Sequence, residues 1–68
     1  MTGTLKQRAY AHIYQRLASG ELPPGSRLSN RVLAKEIGVS YIPVRDAISQ
    51  LRSEGFVESR ADGGTFVP

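Results

Sequence analysis

Residues 29–55 read S-N-R-V-L-A-K-E-I-G-V-S-Y-I-P-V-R-D-A-I-S-Q-L-R-S-E-G, two helix-forming segments joined by a very short turn. In the first, Val32, Leu33 and Ile37 fall at helical spacing with small Ala34 among them. In the second, Val44, Ala47, Ile48 and Leu51 follow the i, i+3, i+4, i+7 pattern of one apolar face. Gly38 can take the left-handed conformation that ends a helix and Ser40 can cap the next, which leaves only Gly38-Val39-Ser40 between them. This punctuation predicts a helix-turn-helix. If the second helix buries 44, 47, 48 and 51, then Tyr41, Ile42, Arg45, Ser49 and Arg52 lie near or along its outward side. The N-terminal end of such a helix is the part that reaches base edges in DNA.

Working outward, Leu5, Ala9, Ile13 and Leu17 recur every four residues with Tyr10 beside them, predicting a first helix over roughly residues 5 to 18. Glu21-Leu22-Pro23-Pro24-Gly25 is a stiff, turn-rich connection, because two prolines remove two backbone donors and Gly25 permits a positive φ. Leu22 and Leu28 are expected to fold back as anchors. Phe56-Val57-Glu58-Ser59-Arg60 and Thr65-Phe66-Val67 are short strand-like runs that bracket Ala61-Asp62-Gly63-Gly64, a turn whose glycines accept positive φ at little cost. The order helix, helix, helix, hairpin predicts an α+β, mainly α fold: a single winged helix-turn-helix domain over residues 1–68.

Sixty-eight residues make one domain that buries only about 60% of its unfolded surface, so the core is small. Nine Lys and Arg against six acids give a net charge of +3 and a pI near 9.8. This balance favours a polyanionic partner without establishing one. The chain has no cysteine, which excludes disulfides and thiolate metal sites and is compatible with a reducing cytoplasm. No apolar run approaches the roughly 20 residues of a membrane-spanning helix, and the N-terminus lacks the apolar segment of a signal peptide. A cytoplasmic protein with no membrane partner is therefore expected. With one histidine, His12, and no metal-ligand spacing, phosphate loop or paired carboxylates, neither enzyme activity nor a cofactor is expected.

An ordered series of motifs, Gly20-Glu21-Leu22-Pro23-Pro24-Gly25, Leu28, Leu33-Ala34, Gly38-Val39-Ser40, Pro43-Val44-Arg45-Asp46-Ala47, Leu51, Glu54-Gly55 and Gly64-Thr65-Phe66-Val67, resembles the N-terminal DNA-binding domain of GntR-family bacterial transcriptional regulators. The Pro43–Ala47 run looks most like the FadR-type branch. The resemblance implies a winged-helix operator reader whose parent protein dimerises through a larger C-terminal effector domain absent from these 68 residues. It implies DNA contacts by Arg31 near the start of the second helix and by Arg45 in the recognition helix. It also implies a minor-groove probe at the glycine-rich wing tip, Gly63-Gly64. Where the family usually has a further arginine after the Val-Ser pair this chain has Tyr41, and Ile42 replaces a commonly small polar residue. A tyrosine hydroxyl still donates to a phosphate or base edge, and an isoleucine suits a thymine methyl, so a shifted sequence preference is expected.

Each candidate also has a structural reading. Arg45 and Arg31 could be solvated or ion-paired surface arginines, with Glu58 or the neighbourhood of Asp46 as partners for Arg45. Tyr41 and Ile42 could form a local apolar patch, and Ser40 is an N-cap as well as a candidate phosphate donor. Gly63 and Gly64 could serve only the turn. Arg27 and Arg60 are the further phosphate candidates, whereas Lys35 and Arg52 fit ordinary solvated surface. Tyr10, Tyr14, Phe56 and Phe66 are read as core or staple aromatics, and His12 as a surface residue. The function these residues favour is sequence-specific binding of double-stranded DNA at a palindromic operator, with the isolated domain a monomer or weak dimer. The alternative is a winged-helix protein-interaction module, which exposed apolar residues along the 41–52 face would favour.

Overall fold

The structure is a computed structural model and describes residues 3–68. Its elements are α1 (Leu5–Ala18), β1 (Arg27–Leu28), α2 (Asn30–Ile37), α3 (Tyr41–Ser53), β2 (Glu58–Ser59) and β3 (Thr65–Phe66). This is the expected winged helix-turn-helix, with a third strand beyond the expected hairpin. The first helix spans the expected residues, and α3 runs on past the expected apolar face to Ser53.

Local chemistry starts and stops the helices. Thr4 caps α1 in a reciprocal box: its hydroxyl accepts from Gln7 N at 3.1 Å while the Gln7 side chain accepts from Thr4 N at 2.8 Å. Ser29 caps α2 by accepting from Val32 N at 3.2 Å. Gly38 ends α2 at φ +82, where its N–H and that of Val39 both donate to the Ala34 carbonyl. Ser40 occupies the cap position of α3, but its hydroxyl makes no capping bond. Of the two N–H groups a capping oxygen can take, those of the second and third helical residues, the third is missing because that residue is Pro43.

The core forms where the three helices cross: Ala9 and Ile13 of α1, Leu33 and Ala34 of α2, Val44, Ala47, Ile48 and Leu51 of α3, with Leu28 and Val57 from the strand side. All four expected α3 positions are buried. Leu28 and Leu22 anchor the connection as expected, Leu28 fully and Leu22 in part. Two expected apolar-face residues lie outside. Leu5, in the first turn of α1, is 48% exposed, and Val32 is 54% exposed because α2 presents its neighbours Leu33 and Ala34 to the core instead. Tyr10 packs against the core, whereas Tyr14 and Phe56 remain largely exposed and meet each other edge to face at 5.3 Å between ring centres. Polar ties join the elements at the surface. Arg16 of α1 donates to Glu36 of α2 at 2.6 Å, with His12 at 3.4 Å from the same oxygen. The Tyr10 hydroxyl donates to the Glu54 carboxylate, which raises the tyrosine above its ordinary pKa first through this hydrogen bond and then through desolvation.

The sheet has the order β1-β3-β2, antiparallel throughout, with Arg27 opposite Phe66, Leu28 opposite Thr65, Glu58 opposite Phe66 and Ser59 opposite Thr65. The strands are two residues long rather than the five and three expected, and Phe56 and Val57 belong to the turn that leads in. The unexpected β1 forms because the chain after the two prolines lies against β3. There Gly25 N donates to Val67 O, and Val67 N to Ser26 O, both at 2.9 Å.

Candidate nucleic-acid interface

Register divides the sheet into two faces. Leu28, Thr65 and Ser59 lie on the side that packs inward, and Ser59 accepts a hydrogen bond from Arg52 of α3 at 3.0 Å. Arg27, Phe66 and Glu58 lie on the outer side. Arg52, expected as free surface, is therefore the tether between α3 and the wing.

At the wing tip the chain turns over Ala61-Asp62-Gly63. Gly63 N donates to Arg60 O, and Arg60 N to Gly64 O, both at 2.9 Å, with Gly63 at φ +88. This is the three-residue hairpin loop whose last residue must be left-handed. Gly63 is exposed at the tip, whereas Gly64 is buried. Gly64 N donates to Asp62 Oδ1 at 2.9 Å, and a Cβ built on Gly64 would stand 2.6 Å from Cε1 of Phe66. Of the two glycines, only Gly63 is presented outward.

Along α3, the exposed residues start at its first turn. Tyr41 is 50% and Ile42 49% exposed, and Arg45 and Ser49 are also exposed. Arg45 stands four residues after Tyr41, one turn along, and its Nη2 lies 3.6 Å from Asp46 Oδ1. Both side chains are about half exposed, so this loose pair contributes little and leaves the guanidinium fork open. The expected partner Glu58 is instead 3.4 Å from Nε of Arg60. The unused Ser40 hydroxyl sits at the head of the same helix. Arg31, in the first turn of α2, is exposed and makes no ion pair among the described residues, and Lys35 one turn later is likewise exposed. The helix-turn-helix thus presents Ser40, Tyr41, Ile42 and Arg45 at the surface at and after its turn, and Arg31 at the start of the helix before it. Arg27, Arg60 and Gly63 belong to the wing.

Two features lay beyond the sequence reading. Phe66 is half-buried on the outer sheet face rather than in the core, with the Arg60 guanidinium carbon 4.1 Å and that of Arg27 5.7 Å from its ring centre. Val67 is buried and its neighbour faces the other way, but strands of two residues are too short for the sequence to show this alternation. The Arg52–Ser59 bond carries no sequence signal either. Among the described residues no group of His, Cys, Asp and Glu could hold a metal ion, and no helix is long and apolar enough to cross a membrane.

Comparison with known proteins gives these features a context. An uncharacterized HTH-type transcriptional regulator of Mycobacterium tuberculosis is 36% identical over 62 residues, covering 91% of this chain and 25% of that protein. The chain spans about a quarter of the length of the curated relatives it matches. The structure of Lar, described as controlling expression of the Listeria monocytogenes agr system, superposes with a TM-score of 0.93 at 33% identity, covering 98% of this chain and 31% of that one. The DNA-binding domain of AraR, solved in complex with its operator ORR3, superposes with a TM-score of 0.87 at 28% identity, covering 100% of this chain and 83% of that one. The model of the bacterial regulatory proteins of the gntR family matches residues 5–67, nearly the whole chain, and the protein belongs to that family.

Proposed function

We propose that this domain binds double-stranded DNA sequence-specifically, as the operator-reading part of a bacterial transcriptional regulator. The observation that carries the reading is the exposed first half of α3, where Tyr41, Ile42 and an open Arg45 fork stand on a helix held rigidly by four buried residues. A domain of the same shape is solved on its operator. In this reading α3 enters the major groove, Arg45 and Tyr41 meet base edges, and Ile42 lies against a thymine methyl, with Ser49 further along the same helix. Arg31 and the Ser40 hydroxyl hold the adjoining phosphates, Arg27 and Arg60 hold phosphates beside the wing, and Gly63 brings the tip backbone close to the minor groove. Gly64 shapes the turn beneath.

Finer assignments follow the same reading. The Pro43-Val44-Arg45-Asp46-Ala47 run fits the FadR-type branch. The relatives' greater length supports a parent regulator with a further effector domain. That parent acts in the cytoplasm as a homodimer on a palindromic operator, while the separate domain is a monomer or weak dimer. Repression by occluding polymerase and activation by recruiting it both use this contact.

Selection of bound duplexes from a random library tests the reading. Enrichment of a short half-site containing guanine and thymine is the expected result, repeated in inverted orientation if two domains bind together. Absence of binding to any duplex at low salt overturns it and returns the α3 face to a protein partner.

A further inference from the structure

We propose that Phe66 is a positioning residue whose ring holds Arg27 and Arg60 as a two-guanidinium phosphate clamp on the outer face of the wing. The proposal rests on the DNA-binding reading and adds to it a device by which the wing grips the backbone. Phe66 lies on the central strand, with Arg27 on β1 to one side and Arg60, the residue just after β2, to the other. Both guanidinium carbons lie within the ~6 Å over which an aromatic face holds a cation. Phe66 is only half-buried on this outer face, so burial accounts for part of its place there and leaves the rest to the two arginines.

The ring attracts both arginines, Arg60 closely at 4.1 Å and Arg27 more loosely at 5.7 Å. A guanidinium lying over a ring uses its face there and keeps its in-plane N–H edge free, and that edge is the one that pairs with phosphate oxygens. Two long side chains that would otherwise sample many rotamers are thereby limited before DNA arrives, which lowers the ordering cost of binding. Glu58, on the same face, takes only Nε of Arg60 at 3.4 Å, which leaves the outer nitrogens of that arginine available. Gly64 completes the device: its missing side chain is what lets the ring lie against the strand, since a Cβ there would stand 2.6 Å from the ring edge. The buried glycine and the exposed-face phenylalanine are two parts of one arrangement.

The test is a set of duplex titrations at several salt concentrations with the wild-type domain, Phe66→Leu, Phe66→Tyr, Gly64→Ala, the Arg27→Ala/Arg60→Ala double variant and that double variant carrying Phe66→Leu, each checked for folding by circular dichroism. Every phosphate contact contributes about 0.9 to the salt slope, so Phe66→Leu is expected to flatten the slope by between about one and two units, as the double arginine variant does. Phe66→Tyr keeps the wild-type slope, Gly64→Ala flattens it by displacing the ring, and adding Phe66→Leu to the double arginine variant changes nothing more. A folded Phe66→Leu or Gly64→Ala domain with the wild-type slope overturns the clamp, as does a further loss when Phe66→Leu joins the arginine variants. If one of the two variants fails to fold, the other decides. Failure of the wild-type domain to bind any duplex is a different result, and it removes the DNA reading itself.

Discussion

Ser29 and Ser40 stand at the starts of successive helices, yet only Ser29 caps through its side chain. Ser29→Ala is therefore expected to lower stability by about 1 kcal/mol, and Ser40→Ala to change it by less than about 0.5 kcal/mol while still weakening DNA binding. Urea melts of the two variants check this, and equal losses would mean that Ser40 caps after all. The residue pattern showed that Ser40 begins a helix; Pro43 three positions on removes one of the two donors its hydroxyl could take. Tyr10 yields a prediction in pH. Its pKa is raised by the bond to Glu54, so the stabilisation this bond provides is fully present below the ordinary tyrosine value of about 10 and is lost as pH rises through the higher folded value. Thermal melts across the alkaline range should show this loss in the parent and a shallower one in Tyr10→Phe. Identical profiles would contradict it. Individual contacts of this kind were the least legible part of the sequence: Tyr10 with Glu54 spans 44 positions, and Phe66 with Arg27 depends on a strand that no local pattern announces.

Elements were legible in proportion to their length. The helices carry several turns of apolar repeat and their own stop signals, so α1 spans the expected residues and the three-residue turn before α3 begins at Gly38 as read. The strands are two residues each, too short for alternation to register, and β1 exists only because β3 supplies its hydrogen-bond partners. The same contrast explains Val32 and Leu5: periodicity finds an apolar side, but where that side ends is decided by the neighbouring helix. Gly38 offers a clean measure of turn strain, because a methyl group there would meet nothing within 4 Å and only the positive φ opposes it. Gly38→Ala should therefore cost about 1 to 2 kcal/mol in chemical denaturation. A loss near zero would show that the turn relaxes, and a loss far larger would show a steric role that the open space denies.

The whole molecule sets a small core beneath an exposed reading surface. Ile13, Val44, Leu51 and Val57 are its largest fully buried side chains, so Leu51→Ala should cost roughly 2 to 5 kcal/mol by opening a cavity that so few neighbours cannot fill. A thermal melt within a degree or two of the parent would contradict that packing. The rigidity matters for function because α3 is held by its buried side while Arg45 stands open on the other, beside an aspartate too exposed to hold it. The fold and helix α3 were thus within reach of the sequence, and the wing's outer face was not, because it is assembled from three separate segments. The central claim is that Arg45 reads bases. The most direct measurement compares Arg45→Ala with the parent domain on a selected operator and on random duplex at the same salt. A loss of roughly 1 to 3 kcal/mol is expected on the operator and much less on random DNA, since a bidentate guanine contact exists only where the right base is present. Equal weakening on both duplexes would contradict it, making Arg45 a backbone contact and leaving base recognition to Tyr41, Ile42 or the wing.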